Sequence, residues 1–570
     1  MNKRKTQLFF SLRPGKELMV NRNQQESFSS ADSRNLLSLG PWSKINPLSS
    51  ENPAKEGKIK PREKKDGSKK HQTSFKPSPN ILLVYPEYPA TFWSFKYALQ
   101  FVSKKAAYPP LGLLTMAALL PPHWKKRLID LNVRPLTDRD LAWADYVFIS
   151  AMVVQQESVK QILAVTQERN LPVVAGGPLF TASHQDYPEI DYFVLNEAEA
   201  TLPLFLEDLQ RGYPRRVYQT NNFPSLQLTP PPLWELIQFK DYLSMNLQFS
   251  RGCPFDCEFC DITTLFGRKV RVKSATQIIV ELERLFQLGW RGNIFFVDDN
   301  FIGNKKVLKK EVLPAMISWM RKRKYPFSFN TEASINLSDD EELMKLMIQA
   351  GFVSVFVGIE SPDLNSLQEC HKVQNLKRDL LASVRRIQQT GLEVTGGFIV
   401  GFDNDSPSIF KQQIDFIQKS RIITAMVGLL NAPRNTRLYQ RLKKEGRLLP
   451  HLSGNNTDFT MNFVPKMDYK ILIKGYRRLI EGIYSYQPYY QRVKNYLAEK
   501  TFVLKRPFRL HLYHLQALLK SIFLLGIKDK GRFYYWKLFF WSLLHRPTSF
   551  PQAIIFSIYG YHFRKVLRLR

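Results

Sequence analysis

Two series of apolar runs, each alternating with amphipathic stretches, cover the middle of the chain. The first begins at Pro79, ends near Gly212, and contains five apolar runs long enough to be buried parallel strands. Because a repeated β-α order builds a doubly wound sheet, an α/β, Rossmann-like fold is predicted here, with ligands at the carboxyl edge of the sheet. The runs are NILLVYP, KRLIDLNV, ADYVFISAM, LPVVAGG and DYFVLNE.

The second series starts at Asn246, after the proline-rich connector FPSLQLTPPPLW. Its six strand-like runs, separated by helical stretches, predict a partial (β/α)6 barrel of the TIM type, whose chemistry lies at the carboxyl ends of the strands. In its first helix Ser274 is the predicted N-cap and Gly289 the predicted end. The runs are NLQFSRG, NIFFVDD, FSFNTEAS, VSVFVGIES, EVTGGFIVGF and AMVGLLNA.

A multi-domain chain follows from this pattern, since 570 residues exceed one domain and a hydrophobic content of 44% supplies several cores. No run of 18 apolar residues is present, and the amino-terminal residues lack the core and cleavage site of a signal peptide, so a cytoplasmic location is predicted. The predicted parts are a disordered basic arm (1–78), a Rossmann-like domain (79–215), a linker (216–245), the barrel (246–450) and a helical, basic-aromatic C-terminal region (451–570).

The formal net charge of +32 favours an anionic partner. Between Thr501 and Arg570 thirteen Lys and Arg residues accompany sixteen aromatic residues and a single acidic residue, Asp529. Such a composition suits a helical region that contacts the inner face of a membrane peripherally. A nucleic-acid surface, which is less favoured, and an ordinary packed subdomain with a solvated basic face are the alternatives.

Three of the four cysteines, Cys253, Cys257 and Cys260, lie within eight residues directly after the first barrel strand. With Cys370 isolated, they cannot form a framework of disulfides, which indicates a reducing compartment. Three thiolates from one loop can hold an iron-sulfur cluster and leave one iron open. A zinc site, which normally has four protein ligands, and a group of buried structural thiols are the alternatives.

The CxxxCxxC spacing, with Phe259 before the third cysteine at the end of the first barrel strand, is similar to the radical S-adenosylmethionine superfamily. The resemblance implies that Cys253, Cys257 and Cys260 bind a 4Fe-4S cluster whose open iron chelates S-adenosylmethionine. It further implies that one electron, from a donor such as ferredoxin or flavodoxin, cleaves that cofactor to a 5′-deoxyadenosyl radical.

The same resemblance implies contacts with S-adenosylmethionine at the ends of the later strands. VDDN stands where the family usually has Gly-Gly-Glu, and GGFIVGFD resembles the strand on which the adenine lies. Capping of a strand end is the alternative reading of each polar residue. The residues implied are Asp298, Asp299, Glu332, Ser334, Glu360, Gly397, Ile399 and Gly401.

The first series resembles cobalamin-binding modules, whose pattern is DxHxxG, then SxL, then GG. The matching positions are Asp130, Asn132, Ser150, Gly176 and Gly177. Because Asn132 stands where the histidine should be, the resemblance implies a cobalamin without an imidazole ligand below the cobalt. An empty Rossmann-like domain is the alternative.

Beyond the barrel, APRNTRLYQRLKKEGRL and NFVP resemble a subgroup that includes the hopanoid C-2 methylases, as do FWSF, DLNVRPLTD and VDDNFIGN. The likeness implies cobalamin-dependent radical methylation of an unactivated carbon in a terpenoid, lipid-like small molecule. Action on a different small molecule is one alternative. Modification of RNA is a second, although the RNA-modifying methylthiotransferases have three further cysteines in their first domain, which this chain lacks. A non-catalytic cobalamin sensor is a third, although it would not need the cysteine loop.

Overall fold

The computed structural model describes residues 76–499 and 512–569, which belong to one compact unit. The predicted basic arm lies almost wholly outside the described residues. The domain limits given above remain predictions.

The first sheet has six parallel strands in the order β2-β1-β3-β4-β5-β6. The five predicted strands are confirmed, and a short sixth strand extends the edge beyond β5. The inner strands are buried because helices cover both faces of the sheet. The strands are β1 (Asn80–Tyr85), β2 (Lys125–Asp130), β3 (Tyr146–Ser150), β4 (Val173–Gly176), β5 (Tyr192–Val194) and β6 (Val217–Tyr218). The helices are α1 (Lys96–Val102), α2 (Leu111–Leu119), α3 (Asp138–Trp143), α4 (Gln156–Gln167), α5 (Pro178–Ser183) and α6 (Ala198–Gln210).

The second sheet is the predicted six-stranded, all-parallel partial barrel, in the order β14-β13-β12-β11-β10-β7. A small antiparallel hairpin, β8 and β9, follows the first barrel strand and precedes the first long helix. The strands are β7 (Met245–Leu247), β8 (Ser250–Arg251), β9 (Arg271–Val272), β10 (Asn293–Phe296), β11 (Ser328–Glu332), β12 (Phe352–Glu360), β13 (Glu393–Val400) and β14 (Ala425–Leu429).

Helices cover the outside of the barrel. In α8 the predicted cap is present, because Ser274 and Gln277 form a reciprocal capping box, and the helix ends before Gly289, whose φ is +89°. The helix buries Ile278, Leu282 and Leu285 completely against the sheet. The helices are α7 (Ile262–Phe266), α8 (Ala275–Gln287), α9 (Lys305–Val307), α10 (Leu313–Lys322), α11 (Glu341–Ala350), α12 (Leu364–Glu369), α13 (Leu380–Gln389), α14 (Ile409–Ser420) and α15 (Arg437–Lys444), and a π-helical turn joins α9 to α10.

The remaining described residues form a helical subdomain. Its last helix packs against the start of the chain's described part, where Phe92 and Phe563 stack with ring centroids 4.2 Å apart. Among the described residues, no helix is both long and apolar enough to cross a membrane. The helices are α16 (Tyr469–Tyr484), α17 (Tyr486–Glu499), α18 (Leu512–Ser521), α19 (Arg532–His545) and α20 (Phe550–Val566), and α18 continues into a π-helical segment, Ile522–Lys528.

Candidate functional site

The cysteine loop, residues 252–261, begins directly after β8, at the carboxyl end of the first barrel strand. Cys257 is buried, and Cys253 and Cys260 are half-buried. Burial raises the pKa of the Cys253 and Cys260 thiols, and the nearby Cys257 raises both further. The three sulfur groups are therefore close enough to influence one another, as the spacing predicts.

The chemistry of its donors suits this loop to an iron-sulfur cluster. Among the described residues, no three His, Cys, Asp or Glu side chains are arranged to hold one ion. In an iron-sulfur cluster each thiolate binds its own iron, so the ligands need not converge on one point. Three neighbouring free thiols on one partly buried loop fit that requirement.

Helix α15 anchors the cysteine loop. The amide of Leu438 donates to the carbonyl of Glu258 over 3.0 Å, and Arg441 pairs with the Glu258 carboxylate at 2.8 Å. Sequence reasoning missed this anchor, although the basic residues of APRNTRLYQRLKKEGRL were visible. Glu258, the partner of Arg441, could not be recognised because it lies 183 residues away in the chain.

Cys370 lies beneath the cysteine loop, which corrects the expectation that it is isolated. Its carbonyl accepts a hydrogen bond from the Glu258 amide over 2.9 Å. Burial raises the pKa of its thiol, and the nearby Glu360 and Cys257 raise it further. Its own thiol is buried and directed at the Leu367 carbonyl, 3.6 Å away. Cys370 therefore supports the loop through its backbone.

A buried ion pair stands beside the thiols. Lys372 and Glu360 are joined at 2.6 Å, and Glu360, the last residue of β12, has a positive φ of +63°. Burial lowers the pKa of Lys372, but Glu360 and Cys257 together raise it above its usual range. A fixed positive charge thus faces the place where thiolates would form.

Asp298 is used to shape the loop. Its carboxylate accepts hydrogen bonds from the Phe249 amide, over 3.0 Å, and from the amide and hydroxyl of Ser250. Burial raises its pKa to about 6 despite these bonds. The side chain therefore fixes the backbone that leads into β8, and the predicted contact with a ligand stays a prediction.

Asp299 and Glu332 are differently placed, because they point into the barrel from the ends of β10 and β11. Burial raises the pKa of Asp299 to about 7, with help from the negative charges of Asp298 and Asp261. Burial also raises the pKa of Glu332 to about 8, with further contributions from both aspartates. Two neighbouring carboxyl groups that repel each other form a site suited to a cationic ligand.

The other predicted contacts are largely engaged with the protein. The Ser334 hydroxyl donates to Asn336 over 2.6 Å, and the Ile399 carbonyl accepts from Gln413 over 2.8 Å. At Gly397 a side chain would meet the Phe356 ring at 2.7 Å, so a residue of β12 already fills that space. Gly401 has a φ of +104°, which requires glycine at the turn after β13.

At the carboxyl edge of the first sheet, Asn132 connects two loops. Its amide oxygen accepts from the Tyr88 amide over 2.9 Å, and its nitrogen donates to Asp130 over 2.7 Å and to the Pro86 carbonyl over 3.2 Å. Asp130 also accepts from the hydroxyl of Tyr242, in the predicted linker, over 3.0 Å. The Asn132 side chain is therefore fully committed within the fold.

Ser150, Gly176 and Gly177 lie side by side at this edge. Ser150 is opposite Gly176 in the pairing of β3 with β4. A methyl group at Gly177 would meet the Ser150 oxygen at 2.5 Å, and Gly177 has a φ of +88°. Only glycine fits here, so the two loops approach each other closely, and the predicted contact of these residues with a cobalamin stays a prediction.

A buried cluster of four charges, called the interdomain clamp below, joins this edge to the cysteine loop. Glu197, after β5, pairs with Arg251 at 2.6 Å and with Arg271 at 2.7 Å. Glu199 pairs with Arg251 at 2.9 Å. All four side chains are at most 12% exposed. Since Arg251 lies two residues before Cys253, the clamp fixes the start of the cysteine loop against the first sheet.

Two sequence families match this chain. The radical SAM superfamily matches residues 247–417, which include the cysteine loop and most of the barrel. A domain of unknown function, DUF4070, matches residues 436–570.

Relatives of known sequence extend the match to the first sheet. An uncharacterized methyltransferase of Synechocystis, sll1242, is 39% identical over 85% of this chain and 92% of its own length. The hopanoid C-2 methylase of Rhodopseudomonas palustris is 39% identical over 67% of this chain and 74% of its own length.

Solved structures share the fold at low identity. OxsB, a cobalamin-dependent S-adenosylmethionine radical enzyme, is 15% identical with a TM-score of 0.54, over 86% of this chain and 80% of its own. The radical S-adenosylmethionine methyltransferase TsrM from Kitasatospora setae is 13% identical with a TM-score of 0.54, over 85% and 99%. Together with the cysteine loop, the sequence relatives show that this chain is an enzyme of the radical S-adenosylmethionine superfamily, which uses a 4Fe-4S cluster and S-adenosylmethionine, and that it belongs to the methyltransferase group containing hopanoid C-2 methylase.

Proposed function

We propose that this protein is a cobalamin-dependent radical methyltransferase that methylates an unactivated carbon of a terpenoid, hopanoid-like lipid. The observation that carries the proposal is the interdomain clamp, which joins the thiol-bearing end of the barrel to the ligand-binding edge of the first sheet. The relationship to a hopanoid C-2 methylase supports the substrate class.

An unactivated carbon has no acidic proton and no leaving group, so acid-base catalysis offers it no low-energy route. The cofactors, when bound, supply a one-electron route for removing hydrogen and a methyl group to replace it. The chain's residues hold, orient and shield these groups. Cys253, Cys257 and Cys260 would hold the cluster, and Lys372 would offset the negative charge of the thiolates.

S-adenosylmethionine carries a positive ammonium and a positive sulfonium group. The carboxyl groups of Asp299 and Glu332, near Cys253, match this charge. Asp298, Ser334 and Glu360 would act mainly by fixing the surrounding backbone and the charge of Lys372, since their polar atoms already have protein partners.

Cobalamin would lie at the carboxyl edge of the first sheet, near Ser150 and Gly177. Because the Asn132 side chain is committed to Tyr88, Asp130 and Pro86, it supports a mode of binding without a protein nitrogen below the cobalt. Electron paramagnetic resonance of the Co(II) form should lack nitrogen hyperfine splitting. Splitting by an axial nitrogen of the protein would contradict this assignment.

The interior of the barrel supports an apolar substrate. Phe295 and Phe356 point inward, and two aromatic residues that follow β1 reach them: Tyr108 lies 5.5 Å from Phe295 and Trp93 lies 5.4 Å from Phe356, between ring centroids. Aromatic faces of this kind bind flat hydrocarbon skeletons by close packing. A lipid substrate would place the protein at the inner face of a membrane. The one-electron chemistry requires a reductant, for which a small protein such as ferredoxin or flavodoxin would serve.

The test is anaerobic turnover of the reconstituted enzyme with reductant, cobalamin, S-adenosylmethionine and a hopanoid. Methylated lipid, 5′-deoxyadenosine and S-adenosylhomocysteine should appear together. If 5′-deoxyadenosine forms but no lipid in a cell extract is methylated, the methyltransferase proposal is wrong, although a radical enzyme acting on another molecule, such as RNA, would stand.

A further inference from the structure

Two consecutive helical segments carry large apolar side chains on their solvent side. Along α18 and its π-helical continuation, Leu519, Phe523 and Ile527 recur every four residues, and along α19 Phe533, Phe540 and Leu544 occupy one side. Their exposed fractions include 58% for Leu519, 70% for Phe533 and 74% for Leu544. These six residues are called the apolar face below.

The helices that bear the apolar face are held firmly by their other sides. Tyr535 and Leu538 are buried, the Trp536 ring nitrogen donates to the Gly526 carbonyl over 3.0 Å, and the hydroxyls of Ser521 and Tyr535 are 2.9 Å apart. The exposed side chains are therefore not displaced core residues. They stay about half or more exposed among the described residues, although Lys528 lies over the Phe523 ring at 4.5 Å and Trp536 stacks on Phe540.

The segments that bear the apolar face also carry exposed basic side chains. Lys528, Lys530, Arg532, Lys537 and Arg546 are exposed on the same segments. The single acidic residue there is turned inward, because Asp529 accepts from the Tyr486 hydroxyl over 2.8 Å and lies 3.6 Å from Arg564. Every exposed charge on these segments is thus positive.

We propose that the apolar face is the surface by which this protein docks on an anionic lipid bilayer. Apolar burial at the level of the headgroups and attraction of the basic residues to anionic lipid act together in such contacts. Nucleic acid would use the positive charge but leave six exposed Leu, Ile and Phe side chains without a partner. A second copy of the chain would bring like charges together. The proposed lipid substrate would explain why the protein docks on a membrane, but the docking itself is argued from the apolar face and its basic residues.

The experiment is cosedimentation of the full-length reconstituted protein with vesicles, without S-adenosylmethionine or reductant. Vesicles of phosphatidylcholine alone are compared with vesicles of equal parts phosphatidylcholine and phosphatidylglycerol, at low and high salt. The test variants are the triple change Leu519→Ser, Phe533→Ser, Leu544→Ser, and the charge change Lys530→Gln, Arg532→Gln, Lys537→Gln. The matched control is Leu228→Ser, which removes an equally exposed leucine (66%) from the connector.

The wild type should bind the phosphatidylglycerol vesicles, less strongly at high salt, and the triple serine variant should bind roughly tenfold or more weakly. The charge variant should lose the preference for anionic lipid, and the control should bind like the wild type. Undiminished binding by the triple variant, or no binding by the wild type, overturns the proposal.

Self-association that disappears in the triple variant, without vesicle binding, would assign the face to a second copy and also overturn it. Turnover with a solubilised hopanoid is measured separately, so failure to bind vesicles leaves the proposed reaction intact.

Discussion

Two aspartates next to each other at the end of β10 have different environments, and this difference governs what each can do. Asp298 receives three hydrogen bonds from Phe249 and Ser250, whereas Asp299 faces Glu332 and the cysteine loop. The first is a structural anion and the second is available to a ligand. Substitution of these two neighbouring residues should therefore have different effects.

Asp298→Asn should destabilise the protein by about 2 kcal/mol or more, because an amide nitrogen would be placed against N–H donors. Asp299→Asn should leave stability nearly unchanged and weaken binding of S-adenosylmethionine roughly tenfold, by removing a charge beside its ammonium group. Chemical denaturation and equilibrium binding measure the two effects. The interpretation is wrong if the two variants behave alike.

The thiols can be tested with a control from the same chain. Cys253→Ala, Cys257→Ala and Cys260→Ala should each abolish cleavage of S-adenosylmethionine, since each removes a ligand of the cluster. Cys370→Ala should retain full iron and sulfide content, because Cys370 supports the loop with its backbone. Iron content after anaerobic reconstitution distinguishes the three cluster ligands from Cys370. Unchanged iron in the triple alanine variant would refute the assignment.

At the scale of elements, the β8–β9 hairpin connects the cysteine loop of the barrel to the carboxyl edge of the first sheet. It carries Arg251 and Arg271 opposite each other, and both reach Glu197 after β5 of the first sheet. A buried pair contributes little net stability, but removing one partner leaves a buried charge uncompensated. The clamp therefore fixes the relative position of the two edges more than it stabilises either one.

Glu197→Gln should cost about 3 kcal/mol of stability and uncouple the reaction, with more 5′-deoxyadenosine formed per methyl group transferred. Iron content should not change. The matched control is Glu207→Gln, which removes an exposed pair with Arg211 in α6 and should cost less than about 1 kcal/mol. Equal product ratios in both variants would show that the clamp does not position the reaction.

For the whole molecule, sequence patterns were sufficient for five of the six strands of the first sheet, for all six strands of the barrel and for the position of the cysteine loop; the short β6 lay in the predicted linker. Buried parallel strands appear as continuous apolar runs, and close cysteines show their spacing directly. The clamp, the support from Cys370 and the inward reach of Trp93 and Tyr108 could not be predicted, because each joins residues far apart in the chain. No local pattern distinguishes Glu197 from any other acidic residue in a loop.

His562 provides a test of the contact between α20 and the segment around Phe92. It is buried, its ring nitrogen lies 2.9 Å from the Phe92 carbonyl, and burial lowers its pKa to about 4. Since the unfolded chain then binds more protons at this position, the contribution of His562 to stability should fall by about 3 kcal/mol as the pH drops from 6.5 to 4. Thermal unfolding of the cluster-free protein measures this, and His562→Gln should reduce the dependence. A wild-type curve that matches the variant at every pH would contradict it.

The stacking of Phe92 on Phe563 has a consequence for synthesis. The ribosome makes these partners about 470 residues apart, so Phe92 and Phe95 lack the part of their packing surface that α20 supplies until that helix has emerged. At the usual rates of translation, on the order of 5–20 residues per second, that interval is tens of seconds. During this time the nascent chain displays an aromatic segment that would attract chaperones, and the protein should depend on them for its yield in the cell.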